Sequence, residues 1–391
     1  MILIDKPFVS EFLIETIKEN KFQIISTAMA RELIHDDSLN WISEVEAKDI
    51  FKNNPNTLLY TNSENSISWI ENNLTFTTLP NQIHIFKNKI KFRELLKETF
   101  PTYFFKGVKY EQLKYLDISN FKFPFIIKPS VGFFSLGVHK VDSLNVWSEI
   151  LLEIESDISK LEGLYPNEVI DVTDFIIEEY FEGEEYAIDC YFNGIGEPVI
   201  LNILHHVFSS ASDVSDRIYS TSKDIIEKNK DGIQKFLKTI GIKTNLINFP
   251  AHVEVRIDNE GQIFPIEINP LRFGGWCTTA DLSWFAFGFN SYEYFLTQQI
   301  PNWRNIFKLK EDKKYSIIVL DNNSGIKGND IESFDYEMLL SDFQLPLDLR
   351  KANFSKFPVF GFLFVETQVG NDSELTNILT SNLRKYIKVK Q

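Results

Sequence analysis

A strand–turn–strand segment, HVEVRIDNEGQIFPIEINPLRFGG (His252 to Gly275), most restricts how this chain folds. Apolar and polar residues alternate along its first half, Asn259-Glu260-Gly261 is typical of a turn, and apolar residues alternate again on the return. Side chains two residues apart on a strand share a face, so Glu267 and Asn269 are predicted to lie together, with Glu254 beside them on the neighbouring strand. Two carboxylates and an amide oxygen in one place are typical of a Mg²⁺ site. An isolated hairpin of this kind is more often an ordinary one with solvated acids, so the prediction depends on the other motifs.

A second segment, PFIIKPSVGFFSLGVHKV (Pro124 to Val141), has the pattern of two strands around a loop of small residues. The first strand ends at Lys128, the loop includes Ser135, and the second strand runs from Val138 to Val141. A lysine at a strand end offers a point charge to phosphates, and small residues let backbone N–H groups approach them. The Walker string, GxxxxGK followed by Ser or Thr, is absent from the sequence. A plain β-hairpin would show the same pattern.

The third segment is FIIEEYFEGEEYAIDCYF (Phe175 to Phe192), an apolar strand that ends in acidic residues and leaves as another strand after Gly183. Such a connection can hold an adenine ring, with backbone groups reading the edge of the base. The amino group of the adenine would donate a hydrogen bond to a backbone carbonyl or to Glu178, and Glu185 would accept hydrogen bonds from the ribose hydroxyls. A solvated acidic turn is an equally good interpretation of this segment alone.

In this order and at these separations, the three motifs resemble the ATP-grasp superfamily, from about Ile85 to Phe295. The resemblance implies a multidomain α/β and α+β chain. Residues 1–85 would form an N-terminal α/β domain. Residues 86–300 would form the ATP-grasp core, with the nucleotide between two α+β subdomains and a hinge near residues 178–185. Residues 301–391 would form a small C-terminal α/β unit that acts as a lid or as the contact in a homodimer.

The resemblance also implies a set of ligands for ATP and Mg²⁺, for which Mn²⁺ can substitute. Lys87 and Lys91 compete with Lys89 for one of these roles because all three lie close together in IFKNKIKFRELL. The predicted residues are Lys89, Lys128 and Ser135 for the phosphates, Glu178, Glu179 and Phe181 for the adenine, Glu185 for the ribose, and Glu254, Glu267 and Asn269 for the metal.

Two departures from the family pattern concern the arginine and the loop. Leu271 stands where many members have an arginine, and Arg272 follows it, so we expect Arg272 to reach the substrate carboxylate or the transferring phosphoryl group. Phe133-Phe134 replace small residues in the loop, which indicates an aromatic flap over the phosphates.

A polar stretch within Leu201 to Ile226 is interpreted as a substrate-facing loop in which Arg217 holds a carboxylate, with a mobile surface loop as the alternative. The adjacent His205 and His206 could supply a base for the incoming amine, although a structural role is more common. Trp276 and Cys277 could line an acceptor pocket, although aromatic stretches are more often core.

By resemblance, the chemistry is ligation through an acyl phosphate, with a small-molecule carboxylate and an amine, such as amino acids, as substrates. Phosphoryl transfer needs positioning and charge neutralisation, so this set of residues suffices without a nucleophilic Ser or Cys. Within the family, the alternative is a phosphotransferase or a ligase with a thiol or hydroxyl acceptor. From another class, the alternative is an ATP-binding protein without turnover.

Charge and composition exclude several other classes. The 391 residues carry a formal net charge of −15, which disfavours binding to nucleic acid and leaves no polybasic patch for a membrane. Two cysteines provide no disulfide framework, and Asp5 and Lys6 interrupt what would be a signal peptide. We therefore expect a cytoplasmic enzyme.

Apolar patterns predict the remaining elements. In the N-terminal domain we expect a helix from about Phe8 and strands at Phe22–Ser26, Leu58–Tyr60 and Ile83–Phe86. Ile300–Asn305 is predicted to be a linker. After it we expect strands at Tyr315–Leu320 and Val359–Glu366 and a helix after Ser373.

Overall fold

The computed structural model describes residues 1–132, 137–161, 171–209 and 215–390, with the side chains of residues 159–161, 171, 172 and 309 excepted. The N-terminal region is an α/β unit. Its elements are β1 (Ile2–Leu3), α1 (Glu11–Asn20), β2 (Ile24–Ile25), α2 (Ala28–Leu33), β3 (Trp41–Ile42), α3 (Glu44–Asn53), β4 (Tyr60–Thr61), α4 (Ile67–Asn73), α5 (Leu79–Lys87) and α6 (Lys89–Leu96), with a 3₁₀ turn at Glu64–Ser66. The strands pair in parallel in the order β3-β2-β1-β4.

The predicted strand Ile83–Phe86 is wrong, because these residues lie in helix α5. Leu79, Ile83 and Phe86 are buried at spacings of four and three residues, which is the period of one helix face. Pro80 lies in the first turn of the helix, where its missing N–H has no intrahelical partner to lose. The apolar run at 83–86 is too short to separate a strand from a helix by itself.

The next region builds a small antiparallel sheet in the order β5-β8-β6-β7. Its elements are β5 (Phe105–Lys109), α7 (Tyr110–Leu113), β6 (Phe125–Val131), β7 (His139–Val141), α8 (Trp147–Leu161) and β8 (Asp171–Glu179), with a 3₁₀ turn at Leu144–Val146. The predicted strands on both sides of the small-residue loop are confirmed as β6 and β7. This small sheet has a hydrophobic cluster of its own, centred on Phe125, Ile127, Phe175 and Ile177.

The rest of the chain builds a large sheet. Its elements are β9 (Glu184–Phe192), β10 (Pro198–Val207), β11 (Ile218–Ser222), α9 (Lys223–Thr244), β12 (Phe249–Ile257), β13 (Ile263–Pro270), α10 (Thr278–Phe287), α11 (Ser291–Leu296), α12 (Trp303–Ile306), β14 (Lys313–Asp321), β15 (Ile331–Phe334), α13 (Tyr336–Ser341), β16 (Pro346–Lys351), β17 (Val359–Gln368), α14 (Ser373–Leu379) and β18 (Ile387–Val389). Short 3₁₀ turns lie at Gly275–Cys277, Phe307–Leu309, Gly328–Asp330 and Arg384–Tyr386. The strand order is β13-β12-β9-β10-β11-β14-β17-β16, and β15 pairs with β18.

Strands β8 and β9 follow each other in the chain but belong to different sheets, so residues 180–183 connect the small sheet to the large one. A hydrophobic cluster joins the large sheet to the N-terminal strands, whereas the small sheet keeps its separate cluster. The small sheet is therefore linked to the rest of the molecule through this connection and through contacts of helix α6, such as that of Arg93 with Glu178 of β8, rather than through a shared core.

The C-terminal strands extend the large sheet instead of forming a sheet apart from it. Strand β14 pairs with β11, and β17 and β16 follow outward. The predicted strands at Tyr315–Leu320 and Val359–Glu366 and the helix after Ser373 are confirmed as β14, β17 and α14. No helix among the described residues has the length and apolarity required to cross a bilayer.

Candidate active site

Strands β12 and β13 bring the three predicted metal ligands together. Glu254 and Glu267 are direct partners in the antiparallel register, and Asn269 lies two residues further along β13. The Asn269 amide donates to Glu267 Oε1 at 3.1 Å and to Glu254 Oε1 at 3.4 Å. The three polar groups therefore point into one small space between two strands.

The electrostatics of this pair fit a divalent cation. Burial raises the pKa of Glu254 well above its usual value, and the neighbouring Glu267 and Glu185 raise it further. Burial also opposes ionisation of Glu267, but Lys89, Lys87 and the hydrogen bond from Asn269 together lower the pKa of that carboxyl. Within the described ranges, no group of three or more His, Cys, Asp and Glu side chains is placed to hold a metal. Two carboxylates and an amide oxygen are nevertheless a sufficient protein share for Mg²⁺, which keeps several positions for water and phosphates.

Lys89 links the paired carboxylates to the small-residue loop. Its ammonium lies 3.3 Å from Glu267 Oε2 and donates to the carbonyl of Gly132 at 3.0 Å. Burial lowers the pKa of Lys89, although Glu267 acts in the opposite direction. Lys87 and Lys91 point elsewhere, toward an N-terminal glutamate and an exposed histidine. Of the three competing lysines, Lys89 is the one beside the candidate metal ligands.

Lys128 and Glu178, which were predicted for the phosphates and the adenine, form an ion pair. The Lys128 ammonium lies 2.5 Å from Glu178 Oε1. The other oxygen, Oε2, accepts from Arg93 Nε and from the Tyr103 hydroxyl, both at 2.8 Å. Burial alone would raise the pKa of Glu178, but Arg93 and Lys128 hold it at about 2. Sequence reasoning missed Arg93, although it lies four residues after Lys89 and therefore on the same face of helix α6.

The low pKa of Glu178 predicts a loss of stability in acid. Its pKa falls from 4.5 to about 2 on folding, so the stabilisation is complete above pH 4.5 and disappears as the pH falls toward 2. The group should contribute ~3 kcal/mol to the free energy of unfolding across that window. Urea denaturation between pH 6 and pH 2.5 measures this slope. Glu178→Gln should lower the proton uptake on unfolding by about one proton in that range, and an unchanged slope would contradict the assignment.

Phe181 packs the connection between the sheets against the β12–β13 hairpin. Its ring stacks on Phe264 of β13 at a centroid distance of 3.7 Å and on Tyr103 at 4.7 Å. Its carbonyl accepts from Arg256 Nη1 at 2.9 Å. Glu179, in contrast, pairs with the exposed Lys122 at the surface. The Phe181 ring therefore packs this connection against β13 on one side and Tyr103 on the other.

Gly183 should be sensitive to substitution because the hinge approaches β12 closely there. A Cβ atom at Gly183 would lie 2.7 Å from the carbonyl oxygen and 2.9 Å from the carbonyl carbon of Ile257, which are both backbone atoms. Gly183→Ala should lower the free energy of unfolding by ~1–3 kcal/mol and weaken ATP binding. Gly261→Ala is the matched control, because that glycine has a φ of +81° but nothing within 4 Å of its Cβ position. Equal effects in urea denaturation would show that the close approach is unimportant.

Glu185, the predicted ribose ligand, is held by His206 and Arg256. Glu185 Oε1 lies 3.0 Å from His206 Nδ1, and Oε2 accepts from Arg256 Nε and Nη2 at 3.2 Å. The His206 ring stacks on Tyr219 at 4.2 Å, and the Tyr219 hydroxyl donates to Asp216 at 2.6 Å. His205 instead pairs with an exposed glutamate.

Arg256 and Asp216 join the site although sequence reasoning did not assign them a role. Arg256 lies two residues after Glu254 on β12, so the strand alternation already placed both on one face. Burial raises the pKa of Asp216, and the carboxylates of Glu185 and Glu267 add to that effect. No sequence pattern predicts a role for Asp216, because it lies near the site only through the antiparallel pairing of β10 with β11.

Arg272 is brought to the site despite its one-residue offset. Leu271 has a left-handed φ of 62°, which interrupts the strand alternation before Arg272. Arg272 Nη2 donates to Glu64 Oε1 at 2.7 Å, and Lys87 holds Glu64 Oε2 at 2.5 Å. Burial opposes the ionisation of Glu64, but Lys87 and Arg272 keep its pKa at about 2. Arg272 also lowers the pKa of Glu254, so its charge is felt at the candidate metal site.

Arg217 is not brought to the site. It is 1% exposed, donates to the carbonyls of Ile378 at 3.0 Å and Ser381 at 2.8 Å, and pairs with Asp321. These contacts tie the start of β11 to the C-terminal region, so the structure gives no support to its predicted role in holding a substrate carboxylate. Ser135 and Phe133-Phe134 lie outside the described residues, as does part of the predicted substrate-facing loop.

Two sheets joined by a short connection, with lysines, acids and an amide converging beside it, are the arrangement of the ATP-grasp fold. A family model described as an ATP-grasp domain matches residues 121–280.

Solved structures agree over the whole chain. An L-amino acid ligase from Bacillus licheniformis is 17% identical, with a TM-score of 0.69, covering 100% of this chain and 98% of that one. N5-carboxyaminoimidazole ribonucleotide synthetase from Thermotoga maritima is 13% identical, with a TM-score of 0.61 and coverages of 99% and 98%. A biotin carboxylase from Campylobacter jejuni is 12% identical, with a TM-score of 0.61 and coverages of 94% and 87%. At these identities the likeness establishes the fold. A comparison with curated protein sequences finds no match.

Proposed function

We propose that this protein is an ATP-dependent ligase that joins a carboxylate to an amine and releases ADP and phosphate. The observation that carries the proposal is the contact of Glu254, Glu267 and Asn269 with one another and of Glu267 with Lys89. This set fits a cation bound to nucleotide phosphates. The L-amino acid ligase among the similar structures supports amino acids as the substrate class.

MgATP would supply the transferable phosphoryl group. The substrate carboxylate would attack the γ-phosphorus and displace ADP, which gives an acyl phosphate. The amine nitrogen would then form the C–N bond, phosphate would leave with the C–O bonding pair, and the amine would lose one proton to water. Lys89 and Lys128 would neutralise phosphate charge, and Arg272 would stabilise the transferring group from the side of the N-terminal unit.

The hinge would bind the nucleoside part. Backbone groups of Glu179 and Phe181 would read the adenine edge, and Glu185 would meet the ribose hydroxyls. Glu178 already holds Lys128, so a bound phosphate would share that ammonium with Glu178. The separate core of the small sheet supports closure over the nucleotide, which would keep water away from an acyl phosphate.

The test is phosphate release from MgATP across a panel of amino acids offered singly and in pairs, with mass spectrometry of the products. Phosphate together with a condensed product, appearing only with a particular pair, is the expected result. Hydroxyl and thiol compounds belong in the same panel, because release with these and with no amine would point to the other acceptor chemistry. ATP binding without release in any combination would overturn the ligase proposal.

A further inference from the structure

A buried acid, Asp189 of β9, lies close to the candidate metal ligands on the large sheet. In the antiparallel register it is the direct partner of His252 on β12, and His252 is the direct partner of Asn269 on β13. The Asp189 side chain is completely buried and that of His252 is almost so. Glu254 follows His252 by two residues on β12, so these two side chains share a face. Neither Asp189 nor His252 has a role in the reaction outlined above.

Asp189 fixes the orientation of the His252 ring. Asp189 Oδ1 lies 2.7 Å from His252 Nδ1 and accepts from the backbone N–H of Gly274 at 3.1 Å. A carboxylate oxygen accepts, so Nδ1 carries a proton and donates it to this hydrogen bond. The ring is therefore held by an acid that is itself tied to the loop after β13.

The opposite nitrogen of the same ring faces a candidate metal ligand. His252 Nε2 lies 3.7 Å from Glu254 Oε1, the oxygen that also lies 3.4 Å from the Asn269 amide nitrogen. This distance is longer than a hydrogen bond but short enough for electrostatic attraction in a buried site, provided that a proton lies between the two atoms. The imidazole therefore connects Asp189 of β9 to Glu254 of β12.

The burial of Asp189 is unfavourable for stability. Its second oxygen, Oδ2, is buried and has no hydrogen-bond partner among the described residues. A buried carboxyl oxygen without a partner costs free energy that an apolar side chain of similar size would avoid. Acids that orient the ligands of a metal through a histidine ring are a functional reason for such a cost.

We propose that Asp189 and His252 are positioning residues that hold Glu254 in place for Mg²⁺, and this inference rests on the proposed function of the site. Asp189 orients the ring, and the ring restrains the Glu254 carboxylate opposite Glu267. Both act through Glu254 and neither touches the substrate. Outer groups of this kind typically change metal affinity by about 10- to 100-fold.

Two substitutions separate the two contacts of the ring. Asparagine carries its amide nitrogen near the position of Nδ1, so His252→Asn keeps the contact with Asp189 and loses the one with Glu254. Glutamine carries its amide nitrogen near the position of Nε2, so His252→Gln keeps a donor beside Glu254. A purely structural role in supporting Asp189 would be preserved by asparagine, whereas the proposed role would not.

Calorimetric titration with adenylyl imidodiphosphate over a series of Mg²⁺ concentrations measures the effect without turnover. His252→Asn should raise the Mg²⁺ concentration needed for half-maximal enhancement of binding by at least about tenfold. His252→Gln should recover at least about threefold of that loss. The free energy of unfolding of His252→Asn in urea should stay within about 2 kcal/mol of wild type. His35→Asn, at an exposed histidine of the N-terminal unit, is the control and should change the Mg²⁺ requirement by less than about twofold.

An unchanged Mg²⁺ requirement in His252→Asn, or one that is no better in His252→Gln, would overturn the inference. A larger loss of stability in His252→Asn would show a structural role instead. Wild-type binding that does not respond to Mg²⁺ would remove the candidate metal site together with the inference. The expected shifts without phosphate release from any substrate pair would leave the positioning role standing and remove the ligase. Ligase turnover with a normal Mg²⁺ requirement in His252→Asn would do the reverse.

Discussion

Glu267→Gln should lower kcat/KM for phosphate release by at least about 100-fold while the protein remains folded. The substitution keeps the size of the side chain but removes one of the two carboxylates that face each other across β12 and β13. It also removes the carboxylate that pairs with Lys89, so the binding of both the cation and the nucleotide phosphates should weaken. A second readout does not depend on turnover, since Mg²⁺ should no longer strengthen the binding of an ATP analogue.

Glu260→Gln is the control for this variant. Glu260 lies in the turn of the same hairpin, is exposed, and has no ion pair among those of the described residues. It removes the same charge from the protein without touching the candidate metal ligands, and it should retain activity within about twofold of wild type. Activity of Glu267→Gln close to that of Glu260→Gln would remove the proposed metal site.

Arg93→Met should be the most destabilising of these substitutions, lowering the free energy of unfolding at pH 7 by ~3–5 kcal/mol. The Arg93 side chain is 1% exposed and that of Glu178 is 6% exposed. The Glu178 carboxylate would therefore lose one of its two positively charged partners in a site that water barely reaches. Arg93 Nη2 also donates to the carbonyl of Ile266 at 3.0 Å, which ties helix α6 to the β12–β13 hairpin. Urea denaturation measures this decrease in the free energy of unfolding. The decrease should be smaller near pH 4, because Glu178 can then take up a proton.

Lys122→Met is the matched control for Arg93→Met. Lys122 pairs with Glu179, the residue next to Glu178 at the end of β8, but the Lys122 side chain is 80% exposed. Solvent-exposed ion pairs of this kind contribute little to stability, so Lys122→Met should change the free energy of unfolding by less than about 1 kcal/mol. Similar losses for the two variants would show that burial does not distinguish these neighbouring ion pairs.

Local patterns predicted the central hairpin correctly because they depend on neighbours along the chain. Alternation on β12 and β13 placed Glu254, Glu267 and Asn269 on one face, and the structure shows them within hydrogen-bonding distance. The same reasoning predicted β6, β7, β14, β17 and α14. It failed at Ile83–Phe86, where a short apolar run fits both periods and the decision depends on burial against the rest of the core.

Charged partners far apart in sequence could not be predicted in this way. Glu178 accepts a hydrogen bond from Arg93, which is 85 residues away in the sequence, and Glu64 accepts one from Arg272, which is 208 residues away. Arg217 was assigned to the substrate from its place in a polar stretch, yet its guanidinium lies against Asp321 and the end of α14. The tertiary fold determines which oppositely charged partner lies within reach of an ionic side chain, and a local sequence pattern cannot predict that partner.

The sequence by itself determined which polar residues share a face, since the carboxylates and the amide stand at spacings that strand and turn geometry translate into faces. Only the tertiary structure decided how those residues are used. It placed Lys89, rather than Lys87 or Lys91, beside Glu267, and it turned Arg272 back toward the candidate metal site through the left-handed Leu271. The physical reason is that a side chain's direction follows from its own backbone, whereas its partner, burial and pKa follow from elements packed against it from elsewhere in the chain.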